Sequence, residues 1–138
     1  MPDVEIYIKN AKVDNVIAWI KQKLDRVRVD RDDAIEMIFI EGFYEGLSLY
    51  FTSKACKPRQ QHQIFITIQG SNSDRISVWF RGKIIPWTSH LECAKDAYQY
   101  LKIPIICDPG KEYPYPGDFM LIDENGERIV DVDEDEEK

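Results

Sequence analysis

The residue types best suited to chemistry in this sequence are its three cysteines and two histidines. They are Cys56, Cys93, Cys107, His62 and His90. His90 and Cys93 stand three positions apart in a segment of helical periodicity, so both side chains could reach one metal ion. Zinc sites are typically built from close pairs such as C-x-x-C or H-x-x-x-H, and the sequence contains neither. A helical wheel also turns Cys93 toward solvent. We therefore expect no metal site and no cofactor.

A cysteine and a histidine can also form a nucleophilic pair, in which the imidazole helps to generate the reactive thiolate. Cys93 or Cys107 with His62 or His90 would supply such a pair if the fold brought two of them together. The sequence has no phosphate-binding glycine loop and no nucleophile elbow. A small enzyme or metal-binding protein that depends on these residues is the alternative hypothesis, and a non-enzymatic role is the favoured one.

Aromatic side chains give the most informative pattern, because they alternate with aliphatic ones along several predicted strands. They are Tyr7, Tyr50, Phe65 and Trp79. One face of an antiparallel sheet is usually polar, so a face with these four rings would be unusual. Exposed tyrosine and tryptophan are favoured anchors of protein interfaces. The pattern predicts a partner-binding face, unless a loop or the C-terminal hairpin covers the rings and makes them a second small core.

Negative charge is concentrated near the end of the sequence. The chain of 138 residues has a formal net charge of −7, and six of its 25 acidic residues lie at positions 131–138. Leaving out these six acidic residues and Lys138, 17 basic and 19 acidic residues remain. Because like charges repel, we expect residues 133–138 to form a solvated, disordered tail. The candidates for steering a basic partner are Asp133, Glu134, Asp135 and Glu136.

The remaining composition argues against several classes of partner and compartment. Basic residues cluster at 21–31 and 54–59, but acidic residues interleave with the first cluster and the overall charge is negative. Nucleic acid is therefore not an expected partner. No apolar run is long enough to span a bilayer, and no leader pattern opens the sequence. The odd cysteine count does not fit a secreted disulfide framework, so we expect a cytoplasmic protein with no membrane partner.

Hydrophobic periodicity predicts the elements that position these side chains. Strand patterns cover 4–8, 34–41, 47–52, 64–68, 76–81, 103–107, 119–124 and 127–132. Helical spacing covers 13–27 and 89–101. In the second helix Ser89 and Glu92 fit the capping box S-x-x-E. Its apolar stripe is Leu91, Ala94, Tyr98 and Leu101.

The dipeptide Asn125-Gly126 predicts a tight hairpin turn between the last two strands. Such a turn would place Leu121 opposite Val130 and Asp123 opposite Arg128.

These elements predict an α+β domain over residues 1–132, in the order β-α-β-β-β-β-α-β-β-β. Short connections favour a largely antiparallel sheet, of about six to eight strands, with both helices packed on one face.

The leading functional hypothesis is a non-enzymatic protein–protein interaction module. A small inhibitor or immunity-type protein that binds a basic partner through the aromatic face fits this size and charge. Homodimerisation through the same face is equally compatible with the sequence. A structural subunit of a homo-oligomer is a further alternative.

Overall fold

The computed structural model describes most of the chain, in eight stretches. They are residues 3–24, 28–30, 33–43, 46–53, 64–70, 74–82, 85–110 and 118–131. Within them lie two helices and nine strands. In chain order these elements are β1 (Val4–Lys9), α1 (Val13–Leu24), β2 (Arg28–Asp30), β3 (Asp33–Phe43), β4 (Gly46–Ser53), β5 (Ile64–Gln69), β6 (Arg75–Gly82), α2 (His90–Leu101), β7 (Ile105–Cys107), β8 (Asp118–Asp123) and β9 (Gly126–Asp131).

The strands form one sheet in the order β2-β3-β4-β5-β6-β1-β7-β8-β9, and each neighbouring pair is antiparallel. The first strand of the chain therefore lies inside the sheet, between β6 and β7. This arrangement confirms the predicted α+β fold and its order of elements. The structure adds only β2, a three-residue edge strand that is too short to show periodicity in the sequence. Among the described residues, neither helix is long and apolar enough to cross a membrane.

Alternation along the strands separates the two faces of the sheet. Side chains of β1, β5 and β6 alternate between buried and more exposed positions, as the two-residue period of a strand requires. Both helices pack on the buried, aliphatic face and share one core with it, as predicted. The fully buried aliphatic residues of these three strands are Val4, Ile6, Ile8, Ile64, Ile66, Ile68, Ile76 and Val78. Each contributes about 1.5–3 kcal/mol through removal of its side chain from water.

Three aromatic rings connect α1, β6 and the segment before α2. Trp19 stacks on Trp87 with ring centroids 5.6 Å apart, and Phe80 meets Trp87 edge-on at 4.9 Å. The Trp87 indole N–H donates to Asp96 at 2.8 Å, and Lys23 forms an ion pair with the same carboxylate. Because Lys23 belongs to α1 and Asp96 to α2, these contacts fix the two helices against each other.

The packing face of α2 is rotated from the predicted stripe. Its buried residues are Cys93, Ala94 and Ala97, whereas Leu91 and Leu101 are only half-buried. Small side chains allow the helix axis to approach the sheet closely, so this side of α2 meets β1, β7 and β8. The expectation that Cys93 faces solvent is therefore wrong.

The N-terminus of α2 is capped as predicted. Ser89 has an extended backbone, and its Oγ accepts a hydrogen bond from the Glu92 N–H at 3.0 Å. In a capping box the second side chain normally accepts from the N–H of the cap residue itself, but here Glu92 Oε2 accepts from the N–H of the preceding residue, Thr88, at 3.0 Å. Hydrogen bonds from Thr88 lower the pKa of Glu92 below its ordinary value. The stability that they contribute is therefore present at neutral pH and is lost as the pH falls through the lowered pKa.

The register of the β8–β9 hairpin differs from the predicted one by two residues. Asp123 pairs with Gly126, so the turn consists of the two residues between them. Phe119, rather than Leu121, consequently lies opposite Val130. The predicted direct pairs Leu121–Val130 and Asp123–Arg128 are wrong.

The Asp123 side chain explains the position of this turn. Its Oδ1 accepts the Asn125 N–H at 2.9 Å, which closes the turn one residue earlier than predicted. Gly126 then takes a φ of 107° at the start of β9, a conformation that glycine adopts without strain. Arg128 still reaches Asp123 diagonally, through two bonds of 2.9 Å, and lowers the pKa of that carboxyl.

Gly46 at the start of β4 occupies a position with no room for a side chain. The Phe43 ring lies over its α-carbon, and a β-carbon there would stand 2.6 Å from the Ile68 carbonyl oxygen. Gly42, on β3, has only an ordinary contact with Leu47 at 3.9 Å. The two glycines therefore differ in what surrounds them rather than in backbone conformation.

Replacing Ser89 by Ala should lower the free energy of unfolding by about 1 kcal/mol, because the Glu92 N–H loses its acceptor. Urea denaturation monitored by circular dichroism measures the effect. Ser89→Asp retains a capping oxygen and is the matched control. Equal stability of Ser89→Ala and the wild type would contradict the observed cap.

Gly46→Ala should destabilise the protein by about 1–3 kcal/mol, since both a ring and a backbone carbonyl must move. Gly42→Ala is the matched control and should raise stability by about 0.5 kcal/mol, because it restricts the unfolded chain. Thermal unfolding of the two variants gives the comparison. An unchanged stability of Gly46→Ala would contradict the expected clash and would show that the Phe43 ring and β5 can shift at little cost.

Candidate partner-binding face

The sheet surface opposite the helices carries the aromatic residues predicted from the sequence. We call it the aromatic face and define it by Tyr7, Tyr50, Phe65, Trp79 and Arg81. Strand register places Tyr50 beside Phe65 and Phe65 beside Arg81. All of these side chains are half-buried, so their solvent exposure is intermediate between that of a core and that of an open surface. Among the described elements, both helices lie on the other side of the sheet.

A continuous stack runs across three strands of this face. The Tyr50 and Phe65 rings lie with their centroids 4.9 Å apart. The Arg81 guanidinium carbon lies 4.3 Å from the Phe65 centroid and 3.9 Å from that of Trp79. Such cation–π contacts are worth about 0.5–2 kcal/mol each, depending on how dry the site is. The stack holds four side chains in defined positions without support from the helix layer.

The polar neighbours of Tyr50 on β4 are less accessible than the ring itself. Ser48 and Thr52 flank it on the same face, and their side chains are buried, with 7% and 1% of their surface exposed. Thr67 on β5 accepts a hydrogen bond from Arg81 at 3.1 Å. The surface open to a partner in this region therefore comes from the half-buried side chains of the aromatic face rather than from Ser48 and Thr52.

Tyr7 belongs to a separate part of the same face. Its ring meets Phe119 edge-on, with centroids 6.3 Å apart. Both rings pack against a small buried cluster formed by Ile106, Leu121 and Val130. Among the described residues, the C-terminal hairpin thus contributes a second small core at the β7–β9 end of the sheet.

The Glu5 carboxylate accepts two hydrogen bonds on this face. Its carboxylate oxygens accept from the Tyr7 hydroxyl and the Ser77 hydroxyl, each at 3.0 Å. Burial, followed by the hydrogen bond to Glu5, raises the pKa of Tyr7 to about 12. At the other end, desolvation and a 3.1 Å bond to Glu41 also raise the pKa of Tyr50. Both phenols are therefore protonated donors at neutral pH.

The described cysteines lie in environments unlike those of reactive thiols. Cys93 and Cys107 are free and completely buried in the main core. Burial raises the pKa of Cys107 to about 12 and that of Cys93 well above its ordinary value. Since the thiolate is the nucleophile, these conditions suppress reactivity. Within the described part of the chain, no group of three or more metal-ligating residues converges.

His90 joins α2 to the sheet. Its Nδ1 accepts the backbone N–H of Glu5 at 2.9 Å. On the same edge of β1, the Lys9 N–H bonds to the Pro104 carbonyl at 3.1 Å, next to β7. Because β7 ends at Cys107, the imidazole takes the place of a strand partner for Glu5. Neither described thiol is a hydrogen-bond partner of this histidine.

Several predicted candidates lie outside the described residues. They are Cys56, His62, Asp133, Glu134, Asp135 and Glu136. Their roles remain predictions.

Sequence reasoning missed Arg81 and Glu5 as members of the aromatic face. Arg81 follows Trp79 at the two-residue spacing that puts both on one side of β6. Glu5 alternates with the buried residues of β1 and lies directly opposite Trp79. The spacing was therefore visible for Arg81, but the sheet order that brings Glu5 to Trp79 was not.

Replacing Glu5 by Gln should move the pKa of Tyr7 from about 12 part of the way toward 10.0, its ordinary value. Burial, the larger cause, stays in place. In the wild type the raised pKa makes a contribution to stability that is complete below the unfolded value and is lost as the pH rises toward 12. Carbon-13 NMR of tyrosine rings, assigned with Tyr7→Phe, follows the titration. An unchanged pKa in Glu5→Gln would mean that burial alone sets it.

Comparison of the chain with protein-family models, with curated proteins and with solved structures finds no match to any of them.

Proposed function

We propose that this protein is a non-enzymatic interaction module that binds another protein through its aromatic face. The observation that carries the proposal is the stack of Tyr50, Phe65, Arg81 and Trp79 on the sheet surface opposite both helices. The proposed setting is the cytoplasm, where the free thiols in the core stay reduced.

The stack has the properties of an interface anchor. Aromatic side chains bury about 150–250 Å² each when a partner covers them, which gives them a large share of binding energy. The mutual contacts of these residues fix their rotamers before binding. Less conformational entropy is then lost on association than with mobile side chains. A half-buried ring in such a stack is therefore better suited to recognition than an isolated exposed one.

Charge gives the proposed module its partner preference. The net charge of −7 resides mainly in the last eight residues, which include Asp133, Glu134, Asp135 and Glu136. A charged segment of this kind increases the association rate with a basic protein at low ionic strength. The aromatic face then supplies the short-range contacts. We propose an inhibitor-type or immunity-type role against such a partner.

Photo-crosslinking in an extract of the protein's own cells, at low and at high ionic strength, tests this proposal. The photoreactive amino acid p-benzoylphenylalanine replaces Tyr50 in one variant and Gln22, an exposed residue of α1, in another. We expect one discrete protein adduct from position 50 and none from position 22. Its yield should fall as ionic strength rises. An adduct at twice the chain's own mass would identify a second copy as the partner and would overturn the basic-partner proposal.

Trp79→Ala, combined with the photoreactive residue at position 50, should reduce the adduct about tenfold or more, because a hot-spot ring is lost. The protein should stay folded, with an unfolding midpoint lowered by no more than the loss of one cation–π contact, since Trp79 lies outside the helix-covered core. Tyr100→Ala, which removes an exposed aromatic from α2, is the matched control and should leave the yield unchanged. Equal adducts from positions 50 and 22, or global unfolding of Trp79→Ala, would contradict the proposal.

A further inference from the structure

Arg81 differs from three other described basic residues in the group that its charged end contacts. Lys23, Lys95 and Arg128 each form an ion pair with a carboxylate. Arg81 instead donates to the neutral hydroxyl of Thr67. Within the described part of the chain, no carboxylate lies within ion-pair distance of its guanidinium.

The surroundings of Arg81 make the lack of a carboxylate partner unfavourable in the isolated protein. The side chain is half-buried, and its Nε–H is buried without a hydrogen-bond acceptor. The guanidinium lies over both the Phe65 and the Trp79 ring, and these rings partly exclude water from it. Cation–π contacts offset some of the lost hydration, but rings accept no strong hydrogen bonds in the guanidinium plane. The donors in that plane are left with few acceptors.

The structure assigns to Arg81 the role of a receptor for a carboxylate of the protein partner, beside the Phe65 and Trp79 rings. This inference rests on the proposed function and specifies the chemistry of one contact within it. A planar guanidinium binds a carboxylate through two parallel hydrogen bonds, and the ring contacts and the bond to Thr67 already hold the Arg81 side chain in place. An Asp or Glu side chain, flanked by apolar or aromatic groups, is the complementary feature on the partner.

A carboxylate fits this site better than the phosphate of a nucleic acid. Phosphate backbones are bound by several cations in a row, whereas Arg81 is the single cation of the stack and the carboxylates of Glu5 and Glu41 lie on either side of it, so the site suits one anionic group rather than a row of them. The negative net charge of the chain opposes a polyanion in the same way. A partner that is basic overall can still present a single acidic side chain to Arg81.

Nuclear magnetic resonance with defined peptides tests this assignment. The probes are the tripeptide acetyl-Tyr-Glu-Tyr-amide and its glutamine counterpart. The reporters are the Arg81 Nε–Hε signal and the Trp79 indole N–H signal of the full-length protein. We expect both signals to shift saturably with the glutamate peptide and much less with the glutamine peptide, by a factor of about ten in affinity.

Variants separate the charge of Arg81 from its contribution to the fold. Arg81→Gln should abolish the shift of the Trp79 signal. Arg81→Lys should weaken it, because lysine keeps the charge but cannot form two parallel hydrogen bonds with a carboxylate. Thermal unfolding of both variants checks that they fold. Lys21→Gln, which removes one positive charge at an exposed site on α1, should leave the titration unchanged.

The outcomes distinguish this inference from the proposed function. Equal shifts with both peptides, or no shift with either, would overturn the carboxylate assignment while an adduct from position 50 still supported the interaction module. A saturable shift with single-stranded RNA in place of the glutamate peptide would overturn it in favour of phosphate. If the glutamate peptide binds but no protein adduct forms at position 50, the proposed function would be overturned instead.

Discussion

The alternation of side chains across a single sheet is the constraint on which this structure depends. Every strand that passes under the helices must put its aliphatic residues on one side, since a shift by one residue would expose them all. Ile64, Ile66 and Ile68 illustrate the result, because all three are completely buried. The residues between them are then forced to the opposite side. Phe65 reaches the aromatic face for this reason, whether or not its ring contributes to stability there.

Strand β1 joins the two portions of the sheet, because it lies between them. It hydrogen-bonds to β6 on one side and β7 on the other, so a strand from the start of the chain connects the β2–β6 and β7–β9 portions. Glu5 shows how this strand also links the two layers. Its backbone bonds to His90 of α2, while its side chain bonds to Tyr7 and Ser77 on the aromatic face.

Much of the fold could be predicted because its local signals agree with one another. Two-residue periodicity located the strands, and the capping box located the start of α2 at Ser89. The errors arose where tertiary contacts decide. Cys93 is buried because α2 packs through small residues, which a helical wheel ranks below leucine and tyrosine. The hairpin register follows from the Asp123 side chain rather than from the Asn125-Gly126 dipeptide. The aromatic residues were predictable from alternation, but the stacking of Arg81 required the register of β5 against β6.

The two thiols of the core provide a built-in measure of native-state opening. Cys93 on α2 and Cys107 on β7 are both inaccessible, and their raised pKa values keep them protonated. An alkylating reagent can reach them only when the helix separates from the sheet, so their labelling rate reports how often this separation occurs. Partner engagement on the far side of the sheet would slow that labelling if it stabilises the whole sheet, although the partner and the sulfur atoms never meet.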